Sequence, residues 1–461
     1  MKSIQWLYVV IILVVGCDCL IAQTPVNNVA PSRLTFTVDS TVVKLPYYRN
    51  FSLGANASSV HHAVIVIHGT NRDADNYYNS MLDAAFKGRS LNTAHLIMAP
   101  QFLIESDMTA YSLDPDILFW TNAGWKQGDL SLSTANFPAP AKMSSFAVID
   151  SIVLRLARTY SNLDTIVVVG HSAGGQFVQR FAAGGPLDSV ITDEYGVALR
   201  YITANPSSYV YLNGERRITG TTDQFAMPTP QQIAFCSDYD DYKYGLLKLN
   251  SYMESVGAGK IREQYKKKNV IYLLGEMDNN PNDSSLDDTP PAMFQGAYRL
   301  ERGIIYVNYL KHFYGNEIAN LHFRVIVPGV AHDNYAMFNS KCGVKYIFNS
   351  GACDSVTLAV EKSLPENIPN FELHQNYPNP FNSATRIDFS LFHSTSVFIK
   401  IYDVTGRQVK TLSEGNILDA GIHSITWNGT DERGNSVCSG LYFVELTCAP
   451  FRGLKRMVVL R

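Results

Sequence analysis

The chemistry most legible in this chain lies in the pentapeptide Gly170-His171-Ser172-Ala173-Gly174. A bare G-x-S-x-G is common by chance, so its surroundings decide what it means. Here it directly follows the apolar run Thr165–Val169 and directly precedes a helix-like stretch that ends near Gly184-Gly185. A serine on a tight strand-to-helix turn holds its hydroxyl clear of the backbone. Side chains at Gly170 and Gly174 would collide with the neighbouring turn. A hydroxyl becomes a useful nucleophile only beside a base, and the base needs an acid to orient it. In the chain order serine, acid, histidine, the sequence offers Asp278 after the strand-like Val270–Leu274 and His332 after Phe323–Val327. His332 stands alone among the eleven histidines in following a final core strand. Asp278 has rivals in Glu276, Asp283, Asp287 and Asp288. That acidic stretch reads as a solvated loop in preference to a calcium site, because its spacing matches no ligand loop, and no metal is called for.

An attack on a carbonyl also needs donors for the developing oxyanion. The backbone N–H of Ala173 supplies one by position. The second belongs to the loop after Val64–His68, where Gly69 permits close approach and Thr70 N–H is the first choice over Asn71. His68 reads as structural. Trp125, in the aromatic stretch from Phe119 to Gly128, is a candidate for the pocket wall, with capping of the core as the equal alternative. The Tyr-rich segment from Pro206 to Lys268 is expected to cover the site and to bring Tyr244 to it, along with Tyr239 and Tyr242.

These residues need a scaffold that gathers distant segments. From Arg33 to Gly329 strand-like and helix-like segments alternate, which predicts an α/β domain. The strands expected are Leu34–Val38, Val42–Tyr48, Ala63–His68, His95–Ala99, Thr165–Val169, Arg200–Ala204, Val270–Leu274 and Phe323–Val327. Continuous β-branched runs such as Ile166-Val167-Val168-Val169 suit strands buried on both faces, as parallel sheets require. Ser145–Thr159 carries a helical apolar stripe with Ser144 as its N-cap. Beyond Pro365, Pro369, Pro378 and Pro380 the pattern changes to short strands, namely Thr385–Ser390, Ser396–Tyr402, His423–Trp427, Leu441–Leu446 and Leu454–Leu460. That is the signature of a small all-β sandwich.

Composition bounds the rest. The chain has 461 residues, 46% of them hydrophobic and 17% charged, and a formal charge of −3. That balance gives no basic footprint for nucleic acid. Met1-Lys2 and the apolar run from Trp6 to Gly16 read as a signal peptide cleaved after Ala22, with a lipobox ending at Cys17 as the rival reading. The expected divisions are residues 1–22 as signal peptide, 23–355 as catalytic domain, 356–372 as linker and 373–461 as C-terminal domain. Cys342 and Cys353 are close enough in sequence to pair, whereas an extended strand would hold Cys438 and Cys448 apart.

Over Arg33 to Asp354 the chain resembles the α/β-hydrolase superfamily, on His68-Gly69, the Gly170–Gly174 elbow, Asp278 and His332 in the required order. Asn205-Pro206-Ser207-Ser208-Tyr209 and Lys243-Tyr244-Gly245-Leu246 are similar to motifs of a group of exported hydrolases within it. The resemblance implies a mostly parallel sheet flanked by helices and a carboxylic-ester hydrolase that passes through an acyl-serine without a cofactor. A serine peptidase or amidase, or a surface binding protein on the same scaffold, are the alternatives. The C-terminal domain resembles the type IX secretion sorting domain, and also the immunoglobulin-like module of flagellar hook-capping proteins. The carrying residues are Asn376-Tyr377-Pro378-Asn379-Pro380-Phe381-Asn382, Ile401-Tyr402-Asp403-Val404-Thr405-Gly406-Arg407 and Ser439-Gly440-Leu441-Tyr442-Phe443. This second resemblance implies outer-membrane secretion machinery as a partner and a secreted or cell-surface location.

Overall fold

A computed structural model describes residues 24–53, 58–88, 94–353, 371–391, 394–419, 421–448 and 451–461. The expected signal peptide and nearly all of the expected linker lie outside the described residues. The first domain is built on an eight-stranded sheet. Its strands are β1 (Ser32–Val38), β2 (Thr41–Arg49), β3 (Val60–Ile67), β4 (Ala94–Pro100), β5 (Thr165–His171), β6 (Ala198–Ala204), β7 (Val270–Gly275) and β8 (His322–Val327). Their order across the sheet is β1-β2-β4-β3-β5-β6-β7-β8, with β2 antiparallel to its neighbours and the rest parallel. This is the α/β-hydrolase arrangement, and every strand read from the sequence is present.

The alternation of side chains across a strand explains why the central runs are apolar throughout. Ile65, Ile67, Ile166 and Val168 point into the core on one face, while Val64, Val66, Val167 and Val169 point into the core on the other. Helices cover both faces, among them α1 (Ala74–Lys87), α2 (Ser145–Thr159), α3 (Ala173–Gly184) and α4 (Arg299–Tyr314). The expected cap on α2 is formed, with Ser144 Oγ accepting from Phe146 N–H at 3.1 Å. The parallel register places the ends of β3, β5, β6, β7 and β8 at one edge, so the loops that follow them converge there.

The segment from Pro206 to Lys268 contains only short elements, including helices Pro230–Phe235, Ser251–Val256 and Ala258–Tyr265. Its tyrosines are core residues rather than surface ones: Tyr209, Tyr211 and Tyr265 are fully buried. Cys342 and Cys353 form a disulfide, and Cys438 and Cys448 are free.

The second domain is a two-sheet sandwich. Its strands are β9 (Phe371–Leu373), β10 (Thr385–Leu391), β11 (Thr395–Asp403), β12 (Gln408–Leu418), β13 (Gly421–Trp427), β14 (Gly440–Cys448) and β15 (Phe451–Val459). They form the antiparallel sheets β9-β10-β13 and β12-β11-β14-β15 around Val397, Ile399, Ile401, Trp427, Val444 and Leu446. Two strands differ from the sequence expectation. β9 begins at Phe371, inside the last two residues assigned to the linker. β12 is not among the expected strands because three register shifts against β11 break the period-two pattern that would reveal it.

Candidate active site

Gly170-His171-Ser172-Ala173-Gly174 closes β5 and opens α3, with Ser172 at φ 60° and ψ −120° as the N-cap residue. A non-glycine residue held at positive φ marks a strained turn, which is what turns a side chain away from the backbone. The glycines are required by close approach. A Cβ at Gly170 would lie 2.3 Å from the carbonyl of Gly174, and one at Gly174 would lie 2.2 Å from the Ile67 oxygen. The elbow is thereby packed directly onto the end of β3, whose following loop carries Thr70.

Three segments meet at the Ser172 hydroxyl. His332 Nε2 lies 2.9 Å from Ser172 Oγ, and His332 Nδ1 lies 2.7 Å from Asp278 Oδ2. Since the carboxylate accepts, Nδ1 carries the proton and Nε2 is free to accept from the hydroxyl. Asp278 is nearly sealed, at 3% side-chain exposure, whereas His332 is at 18%. Among the acids of this loop it is Asp278 that reaches His332. Of the others, Asp283 is engaged with Arg299 and Ser285, Asp287 with Lys243 and Tyr244, and Glu276 with Gly329 N–H, while Asp288 is exposed.

A buried arginine, not singled out in the sequence, holds the acid in place. Arg299 opens α4 and is fully buried. It donates Nη1 to Asp278 Oδ1 at 3.3 Å, Nε to Ser207 Oγ at 3.0 Å, and Nη2 to Asp283 and Ser285. Asn205 clamps the two loops that carry the acid and the base. Its Oδ1 accepts from Gly275 N–H at 2.7 Å and its Nδ2 donates to Ala331 O at 3.2 Å. The motif Asn205-Pro206-Ser207-Ser208 thus has a physical meaning that composition alone did not give. The rings of His171 and His332 lie 4.6 Å apart, tilted by 38°. Burial of His171 first, then the proximity of His332 and Arg299, which oppose a proton on it, hold its pKa far below the usual imidazole value. It remains a neutral wall beside the base.

Ala173 is the first residue of α3, so its N–H is one that a helix leaves without an intrahelical acceptor. Thr70 sits on the loop after β3, at the same sheet edge. His68 underlies that loop: Nε2 accepts from Phe102 N–H at 2.9 Å and Nδ1 donates to Gly69 O at 2.9 Å. Burial pushes its pKa down to about 4, consistent with the structural part expected of it.

Trp125 is the expectation that changes most. It is 0% exposed and packs on His68 at 4.6 Å and on Phe102 at 5.8 Å. It supports the Thr70 loop from below and offers no free surface to a substrate. Tyr244 lies in the segment Pro206–Lys268, with its hydroxyl donating to Asp287 at 2.9 Å and 2.7 Å from Thr289 Oγ1. Residues that composition could not reveal are Lys126 and Arg180, beside Thr70 and Gln176 respectively.

Comparison with known proteins gives the following likenesses. Residues 381–449 match the model of the FlgD Ig-like domain. No curated protein matches the sequence. Among solved structures, poly(aspartic acid) hydrolase-1 from Sphingomonas sp. KT-1 is 24% identical with a TM-score of 0.43, covering 69% of this chain and 99% of that one. The poly(3-hydroxybutyrate) depolymerase LpqC from Bordetella parapertussis is 19% identical with a TM-score of 0.43, covering 71% of this chain and 93% of that one. FlgD from Xanthomonas campestris is 23% identical with a TM-score of 0.15, covering 19% of this chain and 66% of that one. By its own strand order the chain carries an α/β-hydrolase fold, and this is followed by an immunoglobulin-like sandwich similar to that of FlgD.

Proposed function

We propose that this protein is a serine hydrolase that cleaves carboxylic esters through an acyl-Ser172 intermediate. The observation that carries the reading is the continuous line from Ser172 Oγ to His332 Nε2 at 2.9 Å and from His332 Nδ1 to Asp278 at 2.7 Å. As Oγ attacks the carbonyl carbon, its proton passes to Nε2. The imidazolium so formed is stabilised by the Asp278 carboxylate, which stays ionised. The carbonyl electron pair moves onto oxygen, where the N–H groups of Ala173 and Thr70 receive it. On collapse, Nε2 returns its proton to the departing alcohol. A water then repeats the cycle in reverse, releasing the acid and restoring the hydroxyl.

The same triad serves amides, so ester and anilide substrates of one acyl group are compared. Turnover of a short nitrophenyl ester is expected, with Ser172→Ala lowering kcat by about 10⁴-fold or more, as loss of a nucleophile does in other triads. Turnover that survives this substitution removes the proposal. For the C-terminal domain we propose a role as export signal, acting with the leader at residues 1–22 to place the enzyme outside the cell. The FlgD-like sandwich supports an interaction module there. Appearance of the chain in the medium of a host with type IX machinery, and its retention when residues 373–461 are removed, is the expected outcome.

A further inference from the structure

Beside the nucleophile the protein keeps cations that it does not neutralise. Arg180 lies two turns along α3 from Ser172 and is fully buried. All its partners are uncharged: Lys126 O at 3.2 Å, Gln176 Oε1 at 3.2 Å and Ser208 Oγ at 3.0 Å, with Nε unpartnered. Lys126 donates Nζ to Thr70 Oγ1 at 3.3 Å, and among the described residues it has no carboxylate at ion-pair distance. Lys243 is 3.3 Å from Asp287, whose Oδ2 also accepts from Tyr244 and Ser208. Three cations therefore lie among two carboxylates: Lys243 alone is at ion-pair distance from Asp287, Lys126 and Arg180 feel it at longer range, and Asp129, hydrogen-bonded by Gln127 and Asn250, acts on Arg180.

This excess is costly for folding alone, because a buried charge without a partner keeps its desolvation penalty uncompensated. Both ends of the cluster touch residues that flank the reaction. Lys126 meets Thr70, the proposed oxyanion donor, and Gln176 lies one helical turn from Ser172, donating its N–H to Ser172 O at 3.0 Å. Burial, then the charges of Lys243 and Arg180, push the Lys126 pKa down to about 8. The cations crowd one another at a place where an arriving anion relieves them.

Resting on the serine-hydrolase reading, we propose that the natural substrate is an anionic ester whose acyl or alcohol portion bears a carboxylate, bound by Lys126 and Lys243 next to the scissile carbonyl. Arg180, out of contact, adds its field and fixes Gln176 and Ser208. The reaction is the hydrolysis already written, with the extra carboxylate unchanged.

The test uses the full-length protein and two pairs of substrates that share a scaffold and differ by one carboxylate. The first pair is 4-nitrophenyl hexanoate against mono-4-nitrophenyl adipate, with the charge on the acyl side. The second is phenyl acetate against 4-acetoxybenzoate, with the charge on the leaving group. In at least one pair kcat/KM is expected to favour the anionic member by about tenfold, the scale of one well-placed ion pair. That ratio is expected to fall toward one in Lys126→Met and further in Lys126→Met with Lys243→Met. Because each ratio is taken within one variant, a loss of folded enzyme cancels from it. Neutral members favoured in both pairs, or a preference that neither variant moves, overturns the proposal while leaving the serine-hydrolase reading intact. Failure of all four esters, with Ser172 unreactive to a fluorophosphonate probe, removes both.

Discussion

The side chains at the site divide into those that meet the reacting atoms and those that hold them. Arg299 is of the second kind. It ties Asp278 to Ser207, Asp283 and Ser285 from a position with no solvent access. Replacing it by Met leaves two carboxylates facing an apolar stem, and breaking a buried pair costs about 3–5 kcal/mol. Arg299→Met is thus expected to lower the melting temperature, and to lower kcat more than it raises KM, with Arg299→Lys recovering part of kcat. An unchanged kcat in a folded variant would show that Asp278 needs no such support. Lys126 gives a prediction in pH. With its pKa pushed down to about 8 by burial and by Lys243, Arg180 and Arg72 against the opposing pull of Asp287, it is a cation below that value and neutral above it. Preference for a carboxylate-bearing ester is therefore expected to fade as pH rises through about 8, read as the ratio of kcat/KM for charged and neutral esters. None of these cations was legible in the sequence, because arginine and lysine are ordinarily surface residues and only the fold reveals which are sealed. Ser172, Asp278 and His332 were legible because each follows the end of a recognisable strand.

At the scale of elements, the site exists because β5 and α3 meet at a turn that tolerates no Cβ. A methyl at Gly174 would press on the Ile67 oxygen at 2.2 Å and the His68 oxygen at 2.7 Å, so the elbow or the β3 loop must move. A shift of about 1 Å at reacting atoms costs on the order of 100-fold in rate. Gly174→Ala is expected to lose activity on that scale, with thermal unfolding reporting whether the domain still folds. Full activity in this variant would contradict the close packing described. Strands were the easiest elements to read. Ile166 to Val169 is apolar without a break because both its faces are buried. β12 escaped because bulges displace its partners, and Gly415 interrupts it at φ 93°. The segment Pro206–Lys268 was legible as a tyrosine-rich insertion, but its short helices and the burial of its tyrosines were not, because they are packed by other buried side chains, with Tyr209 stacked on Tyr306 at 4.4 Å.

The whole molecule has two kinds of core. One follows the central sheet and its helices, and the other is enclosed between the two sheets of the sandwich. The elements that carry Ser172, Asp278 and His332 all precede Cys353, where a disulfide to Cys342 secures the last helical stretch. A chain ending at Cys353 is therefore expected to hydrolyse esters as the full chain does, while losing export. An insoluble or inactive fragment would show that the first core depends on the second. The central claim is tested most directly by reacting the purified protein with a fluorophosphonate and mapping the modified peptide. The account predicts one label, on Ser172, formed at a rate that drops by about 10³-fold or more in His332→Ala. A folded protein whose Ser172 stays unlabelled, or a His332→Ala variant labelled as fast as the parent, would contradict it.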